Sequence, residues 1–150
     1  MIQDGEGRMN SEESKTALLK ILTEVLEKDE EVLFAYLYGS YAYGSVSPGS
    51  DIDVAVYLKP SDMKNFIKKE QELTSTLATK VHNDRIDLRI LNGSPFLLQY
   101  SVIKEGIPFF VRDARERVDF ETRVMERFFE LKPYLDEYKR ILSLKIMAAA

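Results

Sequence analysis

Two aspartates stand two positions apart, Asp51 and Asp53, in a segment whose alternating apolar residues predict a β-strand over 51–58. Because residues two apart on a strand point to the same face, the two carboxylates are expected side by side. A pair of like charges this close is unfavourable unless a cation neutralises it. Magnesium suits this role, since it binds carboxylate oxygens and keeps positions open for phosphate oxygens. The pair therefore predicts a magnesium site that serves phosphate chemistry.

A glycine–serine pair, Gly39-Ser40, is separated from these aspartates by ten residues and follows a predicted strand over 32–38. Glycine lets the backbone turn sharply and lets a bulky anion come close. The serine offers a hydroxyl and a backbone N–H as donors, and a short helix that begins there would add further free N–H groups. The pair therefore predicts a phosphate-binding turn that lacks the lysine of a P-loop.

A third carboxylate, Asp87, lies on the polar face of a strand predicted over 85–91. It is placed to hold a second metal ion and to accept the proton of an attacking hydroxyl. Asp84 is an alternative for this role, although it precedes the strand and fits a turn. Asp87 also has a simpler interpretation, as a solvated charge paired with Arg85 or Arg89.

The segment Gly39-Ser40, ten residues and Asp51-Ile52-Asp53, with Asp87 on a later strand, resembles the signature of the nucleotidyltransferase superfamily related to DNA polymerase β. Segments 39–44 and 47–56 are most similar to its smallest branch, the minimal nucleotidyltransferases. The resemblance implies a small mixed β-sheet flanked by helices. It also implies that Gly39 and Ser40 bind the phosphates of ATP, while the three aspartates bind two Mg²⁺ ions.

The same resemblance implies an activity and a partner. Many minimal nucleotidyltransferases are antitoxins that transfer AMP from ATP to a tyrosine of a helical HEPN-domain toxin. A complex with such a toxin is therefore expected, and a homodimer remains open. Many relatives carry a basic residue where Tyr43 stands. If that position contacts phosphate, Tyr43 weakens triphosphate binding.

Two other functions fit the same residues. One is transfer of the nucleotide to a small molecule such as an aminoglycoside, but 150 residues leave little room for the second domain that grips the drug in such enzymes. The other is a non-catalytic antitoxin that binds its toxin and occludes it. Intact aspartates argue against this second alternative.

Composition excludes several classes of function. The net charge is −4, without the basic stripe of a protein that binds nucleic acid directly. The chain has no cysteine and a single histidine, His82, which excludes disulfides, zinc–thiolate sites and thiol catalysis. We expect His82 to be a helix-end residue. No apolar run has the length of a membrane span and no signal-peptide core is present, so a cytoplasmic location is expected.

Helical and strand patterns alternate along the chain, which predicts one mixed α/β (α+β) domain over 11–150 with a long C-terminal helix. Residues 1–10 are polar and are predicted to be disordered or frayed. The predicted helices and strands are 11–28 capped by Asn10, strand 32–38, strand 51–58, helix 62–81 capped by Ser61, strand 85–91, a helix from Ser94-Pro95 to a left-handed Gly106, strand 107–111, and helix 113–144, kinked or split at Pro133.

Apolar stripes indicate which helix faces are buried. For the helix over 62–81 the predicted buried face comprises Met63, Phe66, Ile67, Leu73, Leu77 and Ala78. The last helix carries a larger stripe than a small sheet needs, so part of it is expected in the core and part is available to a partner or a second copy. This stripe comprises Val118, Met125, Phe128, Phe129, Leu135, Tyr138, Ile141 and Leu142. Tyrosines 36, 38, 41 and 43 are interpreted mainly as core or interface residues.

Overall fold

The computed structural model describes residues 11–43, 51–82 and 85–149 of the 150-residue chain. The predicted frayed segment 1–10, with its capping Asn10, lies outside the described residues. So do positions 44–50 of the loop before the first aspartate, and Asp84.

Helices and strands follow one another in the predicted order, which confirms the mixed fold of a small sheet flanked by helices. The elements are α1 (Ser11–Glu27), β1 (Val32–Tyr38), α2 (Ser40–Tyr43), β2 (Ile52–Leu58), α3 (Met63–Val81), β3 (Ile86–Ile90), α4 (Phe96–Glu105), β4 (Ile107–Val111) and α5 (Ala114–Ala149). Within the described ranges, no helix combines the length and apolar character that crossing a bilayer requires.

The four strands form one sheet in the order β3-β2-β1-β4. β1 is antiparallel to both β2 and β4, whereas β2 and β3 are parallel. A parallel pair needs a crossover connection, and α3 supplies it. As a result, the start of β2, the start of β3 and the end of β1 lie at the same edge of the sheet.

Both faces of the sheet are buried. The alternation in β2 places Ile52, Val54, Val56 and Leu58 in a cluster with residues of α1 and α3. The intervening Ala55 and Tyr57 belong to a second cluster, which α4 and α5 cover. The predicted division of this strand into two faces is therefore confirmed.

The edge of the sheet where β2 ends is held by side chain–backbone bonds. Asn92 accepts a bond from the Leu58 N–H (2.8 Å) and donates one to the Leu58 carbonyl (2.9 Å). Arg112 donates to the carbonyls of Val32 (2.9 Å) and Glu27 (2.7 Å), the second of which is the last residue of α1. These bonds satisfy backbone groups that the strand and helix ends leave without partners.

Two expectations for α3 are wrong. The N-cap is Asp62 rather than Ser61, because the Asp62 carboxylate accepts the Asn65 N–H at 2.7 Å. Met63 and Ile67 are more than half exposed, whereas Leu73 and Leu77 are buried. The buried stripe follows Phe66, Leu73 and Leu77, and successive helix residues are about 100° apart, so Ile67 points away from it.

The ends of α4 also differ from expectation. Pro95 occupies the N-cap position, and the Ser94 hydroxyl donates to the Ile90 carbonyl instead of capping the helix. Gly106 is extended (φ −80°) rather than left-handed, because β4 begins at the next residue. A Cβ at Gly106 would collide with the Val102 carbonyl oxygen, which explains the glycine. The left-handed C-cap is His82 of α3 (φ 56°), which confirms His82 as a helix-end residue.

Helix α5 is longer than predicted, and the Asp113 carboxylate caps it by accepting the Glu116 N–H at 3.1 Å. The helix continues through Pro133, so the predicted split does not occur. Its buried residues are Phe120 and Val124, near its start. Much of the predicted stripe is exposed instead, and for the residues after Val124 this is because a 36-residue helix of about 54 Å extends well past a four-stranded sheet. The exposed members are Val118, Phe129, Tyr138, Ile141 and Leu142.

Candidate active site

The turn after β1 brings Gly39 against Asp53. Gly39 has a φ of +69°, a conformation that favours glycine, and a short helical turn, α2, begins at Ser40 as predicted. The Ala42 N–H donates to the Gly39 carbonyl at 3.0 Å. A Cβ at Gly39 would overlap the Oδ2 atom of Asp53. Only a glycine therefore lets this carboxylate lie against the turn.

Asp53 and Asp87 are neighbours across the parallel pair of strands. Their Cα atoms are register partners between β2 and β3, so both side chains project from the same face of the sheet. Both residues are partly buried. Asp51 lies one residue before β2 and is exposed. The structure thus brings Gly39, Asp53 and Asp87 to one edge of the sheet, with Asp51 at its solvent side.

The electrostatics of this edge are unfavourable for a carboxylate. Burial raises the pKa of Asp53, and the negative charges of Asp87 and Asp51 raise it further, while Arg89 opposes the shift. Asp53 is therefore close enough to Asp87 and to Asp51 to be repelled by both. A divalent cation relieves this kind of repulsion.

Asp87 also makes the same-strand ion pair that we considered as an alternative. Arg89 Nε lies 3.2 Å from Asp87 Oδ1, and about half of each side chain is exposed. The charge of Asp87 raises the pKa of Arg89. Because exposed ion pairs contribute little free energy, this contact does not prevent Asp87 from binding another cation.

The side chains at this edge offer carboxylate oxygens as possible metal ligands. In the parts of the chain that are described, no three acidic or histidine side chains form a ready metal cluster. The three aspartates nevertheless supply only oxygen donors, the type that magnesium prefers, and their mutual repulsion is what such an ion would remove. Asp51, Asp53 and Asp87 thus fit a magnesium ion chemically, and the three-aspartate site stays a prediction. Asp84, the alternative third carboxylate, is not among the described residues.

Tyr38 belongs to this site, although the sequence placed it with the core tyrosines. It is the register partner of Asp53 across β1 and β2, so a tyrosine and two aspartates form a row over three strands. Burial, followed by the charges of Asp53 and Asp87, raises the pKa of Tyr38 to about 12. The hydroxyl is protonated at neutral pH, as an ordinary tyrosine hydroxyl is, and can act as a donor. The signal in the sequence was its position directly before Gly39.

The other tyrosines of this region have structural roles or lie outside what is described. Tyr36 is buried, and its hydroxyl donates to Glu121 Oε1 at 2.5 Å, which links β1 to α5. Tyr41 packs against the core cluster between the sheet and α1. The Tyr43 side chain is outside the described residues, so its effect on triphosphate binding stays a prediction.

Comparison with solved structures shows the same fold in chains of toxin–antitoxin complexes. A chain in the crystal structure of a toxin–antitoxin with AMP-PNP aligns with a TM-score of 0.66 and 21% identity, over 86% of this chain and 98% of that chain. A chain in the structure of a tri-AMPylated Shewanella oneidensis HEPN toxin with its MNT antitoxin aligns with a TM-score of 0.62 and 19% identity, over 89% of this chain and 98% of that chain. A chain of an MntA–HepT complex aligns with a TM-score of 0.61 and 19% identity, over 88% of this chain and 98% of that chain.

No curated protein sequence matches the chain significantly. The sequence profile of the polymerase β nucleotidyltransferase family matches residues 20–115, which include the turn at Gly39 and all three aspartates. This match covers more than half of the chain. The protein therefore belongs to the polymerase β nucleotidyltransferase family.

Proposed function

We propose that this protein is a magnesium-dependent nucleotidyltransferase that transfers AMP from ATP to a tyrosine hydroxyl of a HEPN-domain toxin, and so acts as its antitoxin. The observation that carries the proposal is the register pairing of Asp53 with Asp87 beside the glycine turn of Gly39. The family match supports the reaction class. The toxin–antitoxin complexes among structures of the same fold support the acceptor.

In this proposal, the turn binds the phosphates of ATP and the aspartates bind the metal ions. Gly39 leaves room for the β- and γ-phosphates, and Ser40 offers its hydroxyl and backbone N–H as donors. Asp51, Asp53 and Asp87 would hold two magnesium ions, which neutralise phosphate charge and favour the ionised acceptor hydroxyl when bound. The Tyr38 hydroxyl is a further donor at this face, and its raised pKa keeps it protonated even in alkaline solution.

The proposed transfer is a single in-line displacement. The acceptor oxygen forms a bond to the α-phosphorus, and the bond between that phosphorus and the oxygen bridging to the β-phosphate breaks. Pyrophosphate leaves with the bond electrons, and Asp87 accepts the acceptor proton. The acidic chain, with a net charge of −4, is compatible with a protein acceptor and with action in the cytoplasm, where ATP is available.

The proposal is tested by co-expressing the chain with a candidate HEPN-domain toxin and measuring the intact mass of that toxin. We expect the toxin to gain one or more AMP units on a tyrosine. Asp53→Asn should reduce the rate of this transfer by at least about 10³-fold, because it removes charge stabilisation at the reacting phosphate. The fold of the variant, followed by circular dichroism, should not change.

A matched control is Asp119→Asn, which makes the same chemical change at an exposed position of α5. It should transfer AMP at the wild-type rate. Full transfer by Asp53→Asn would refute the catalytic role. Neutralisation of the toxin by a variant that lacks all three aspartates would instead support occlusion without catalysis. Transfer to an aminoglycoside and not to the toxin would identify a small-molecule acceptor.

A further inference from the structure

A cavity lies beside the ends of β2 and β3, at the edge of the sheet opposite the aspartates. Its volume is about 510 Å³, which is within the range of small-molecule sites. Its walls come from the end of β2, the first turns of α3, the turn after β3, and helices α4 and α5. Four aromatic rings line it, those of Tyr57, Phe66, Phe96 and Phe120. The cavity therefore offers apolar walls that suit a flat ring.

This cavity is separate from the candidate active site. Tyr57, in its wall, follows Asp53 by four residues on β2, which places the two about 13 Å apart along the strand. Ala55 lies between them on the same face and is fully buried in the cluster that α4 and α5 cover. The face of the sheet between the two sites is therefore covered by packed side chains. Gly39, Asp53 and Asp87 are not among the residues that line the cavity.

Two arginines give the cavity a positive charge, although the chain as a whole has a net charge of −4. Arg123 and Arg127 are one helical turn apart on α5, and both line the cavity. We call it the arginine cavity. No acidic side chain of the described residues lines it. The ion pairs in the described part of α5 involve other residues, namely Arg117 with Glu121, Lys132 with Asp136 and Arg140 with Glu137. The charges of the two cavity arginines are therefore not neutralised within the described chain.

Aromatic side chains, rather than carboxylates, hold the two guanidinium groups. Arg123 Nη2 donates to the Tyr57 hydroxyl at 3.3 Å, and Arg127 Cζ lies 5.2 Å from the centre of the Phe96 ring. These contacts position the guanidinium groups and leave their positive charge uncompensated. Because each guanidinium carries five N–H donors, most of the donors remain for water or for a ligand.

We propose that the arginine cavity binds a small aromatic anion, in which a phosphate or a carboxylate is joined to a flat ring. Arg123 and Arg127 bind the anion, because the planar guanidinium matches the spacing of phosphate and carboxylate oxygens. The four aromatic residues of the wall contact the ring of the ligand. The volume of the cavity suits a molecule of the size of a nucleoside monophosphate. The proposal goes beyond the nucleotidyltransferase activity and does not depend on it.

Isothermal titration calorimetry of the full chain in EDTA tests the ligand class, since EDTA keeps divalent cations away from the aspartates. The probes are AMP, which carries a phosphate, and 1-naphthoate, which carries a carboxylate. Binding of either supports the proposal and identifies the preferred anion. The separate halves of each probe, adenosine with inorganic phosphate and 1-naphthol with acetate, should bind at least about tenfold more weakly than the whole. Absence of binding by both probes, or a half that binds as tightly as the whole, would overturn the proposal.

A double variant tests the location of the site. Arg123→Gln with Arg127→Gln should weaken binding of the preferred probe by at least about tenfold, because it removes both charged donors. The matched control is Arg115→Gln with Arg140→Gln, which makes the same two changes at exposed positions of α5 outside the cavity. The control should bind as the wild type does, and circular dichroism should show the same fold for both variants. Equal affinity in the two double variants would refute the location.

Two further results separate this proposal from the proposed function. Asp53→Asn should bind the probe in EDTA with the wild-type affinity, because its side chain is not part of the arginine cavity. A large loss of affinity in Asp53→Asn would place the anion at the candidate active site and contradict the proposal. If the chain binds the probe through Arg123 and Arg127 but does not transfer AMP to a toxin, the arginine cavity stands and the proposed function fails.

Discussion

At one edge of the central sheet, Asp53 and Asp87 face each other across two parallel strands, and burial together with the charge of Asp87 raises the pKa of Asp53. At the opposite edge of the same strands, Asn92 satisfies both backbone groups of Leu58, and Arg112 satisfies the end of α1. The first edge concentrates charge of one sign. The second edge pairs the polar groups that its strand ends expose.

This difference indicates how a small domain separates stability from chemistry. Side chain–backbone bonds at the Asn92 edge stabilise the positions of β2 and β3, and those strands carry the aspartates to the other edge. In the proposed function, a bound cation would relieve the repulsion at the aspartate edge. Substitutions at the aspartate edge should therefore change activity, and substitutions at the Asn92 edge should change stability.

The largest effect we expect in this comparison comes from Gly39→Ala. The new Cβ overlaps Asp53 Oδ2, and a φ of +69° costs an L-residue about 1–2 kcal/mol. Displacing the carboxylate should lower the transfer rate by about 10²-fold. The change is checked by transfer from α-labelled ATP and by urea unfolding. A fully active Gly39→Ala would show that the turn does not position Asp53.

Asn92→Ala should lower the stability of the fold and leave the transfer rate unchanged. It leaves the N–H and carbonyl of Leu58 without their side-chain partner, so we expect a loss of about 1–3 kcal/mol in the free energy of unfolding. The transfer rate of the folded protein at low temperature should equal that of the wild type. A large loss of activity without a loss of stability would remove the distinction between the two edges.

Tyr38→Phe should have a smaller effect on activity. The substitution removes one donor beside Asp53 and keeps the aromatic packing, so a decrease of about tenfold or less is expected. The free energy of unfolding should change little. Transfer rates measured at several ATP concentrations check this. An unchanged rate would mean that Tyr38 contributes only packing.

The smallest effect concerns the pH dependence of stability. Burial and the neighbouring carboxylates raise the pKa of Asp53 in the folded chain above the ordinary value of an aspartate, so the folded state binds this proton more readily than the unfolded state. Ionised Asp53 therefore destabilises the fold above its folded pKa, and the penalty disappears as pH falls through that pKa. Without magnesium, Asp53→Asn should be the more stable protein at pH 7. The difference should vanish in acid, as urea unfolding across pH would show.

The sequence was sufficient for the strands and for the edge where the site lies. Alternation in β2 separated the face that carries Asp53 from the face that carries Ile52, and Gly39 marked the turn. It was not sufficient to predict which helix residues are buried, because tertiary contacts decide that. Ile67 is exposed because the path of α3 over the sheet selects a different stripe.

Other features also depended on the assembled fold. Tyr38 joined the site only through the register of β1 with β2, which no local pattern encodes. The exposure of apolar residues in the second half of α5 depends on how far the helix extends beyond the sheet. Gly106 is extended because the chain enters β4 at once, a connection that local glycine preferences do not reveal.

A double-mutant cycle on Asp53 and Asp87 tests the central claim most directly. The rates of AMP transfer to the HEPN toxin from α-labelled ATP are measured for the wild type, Asp53→Asn, Asp87→Asn and the double variant. Because residues of one catalytic unit are strongly non-additive, the double variant should be about as slow as the slower single variant. Losses that multiply, or a single variant that keeps the wild-type rate, would contradict a shared site.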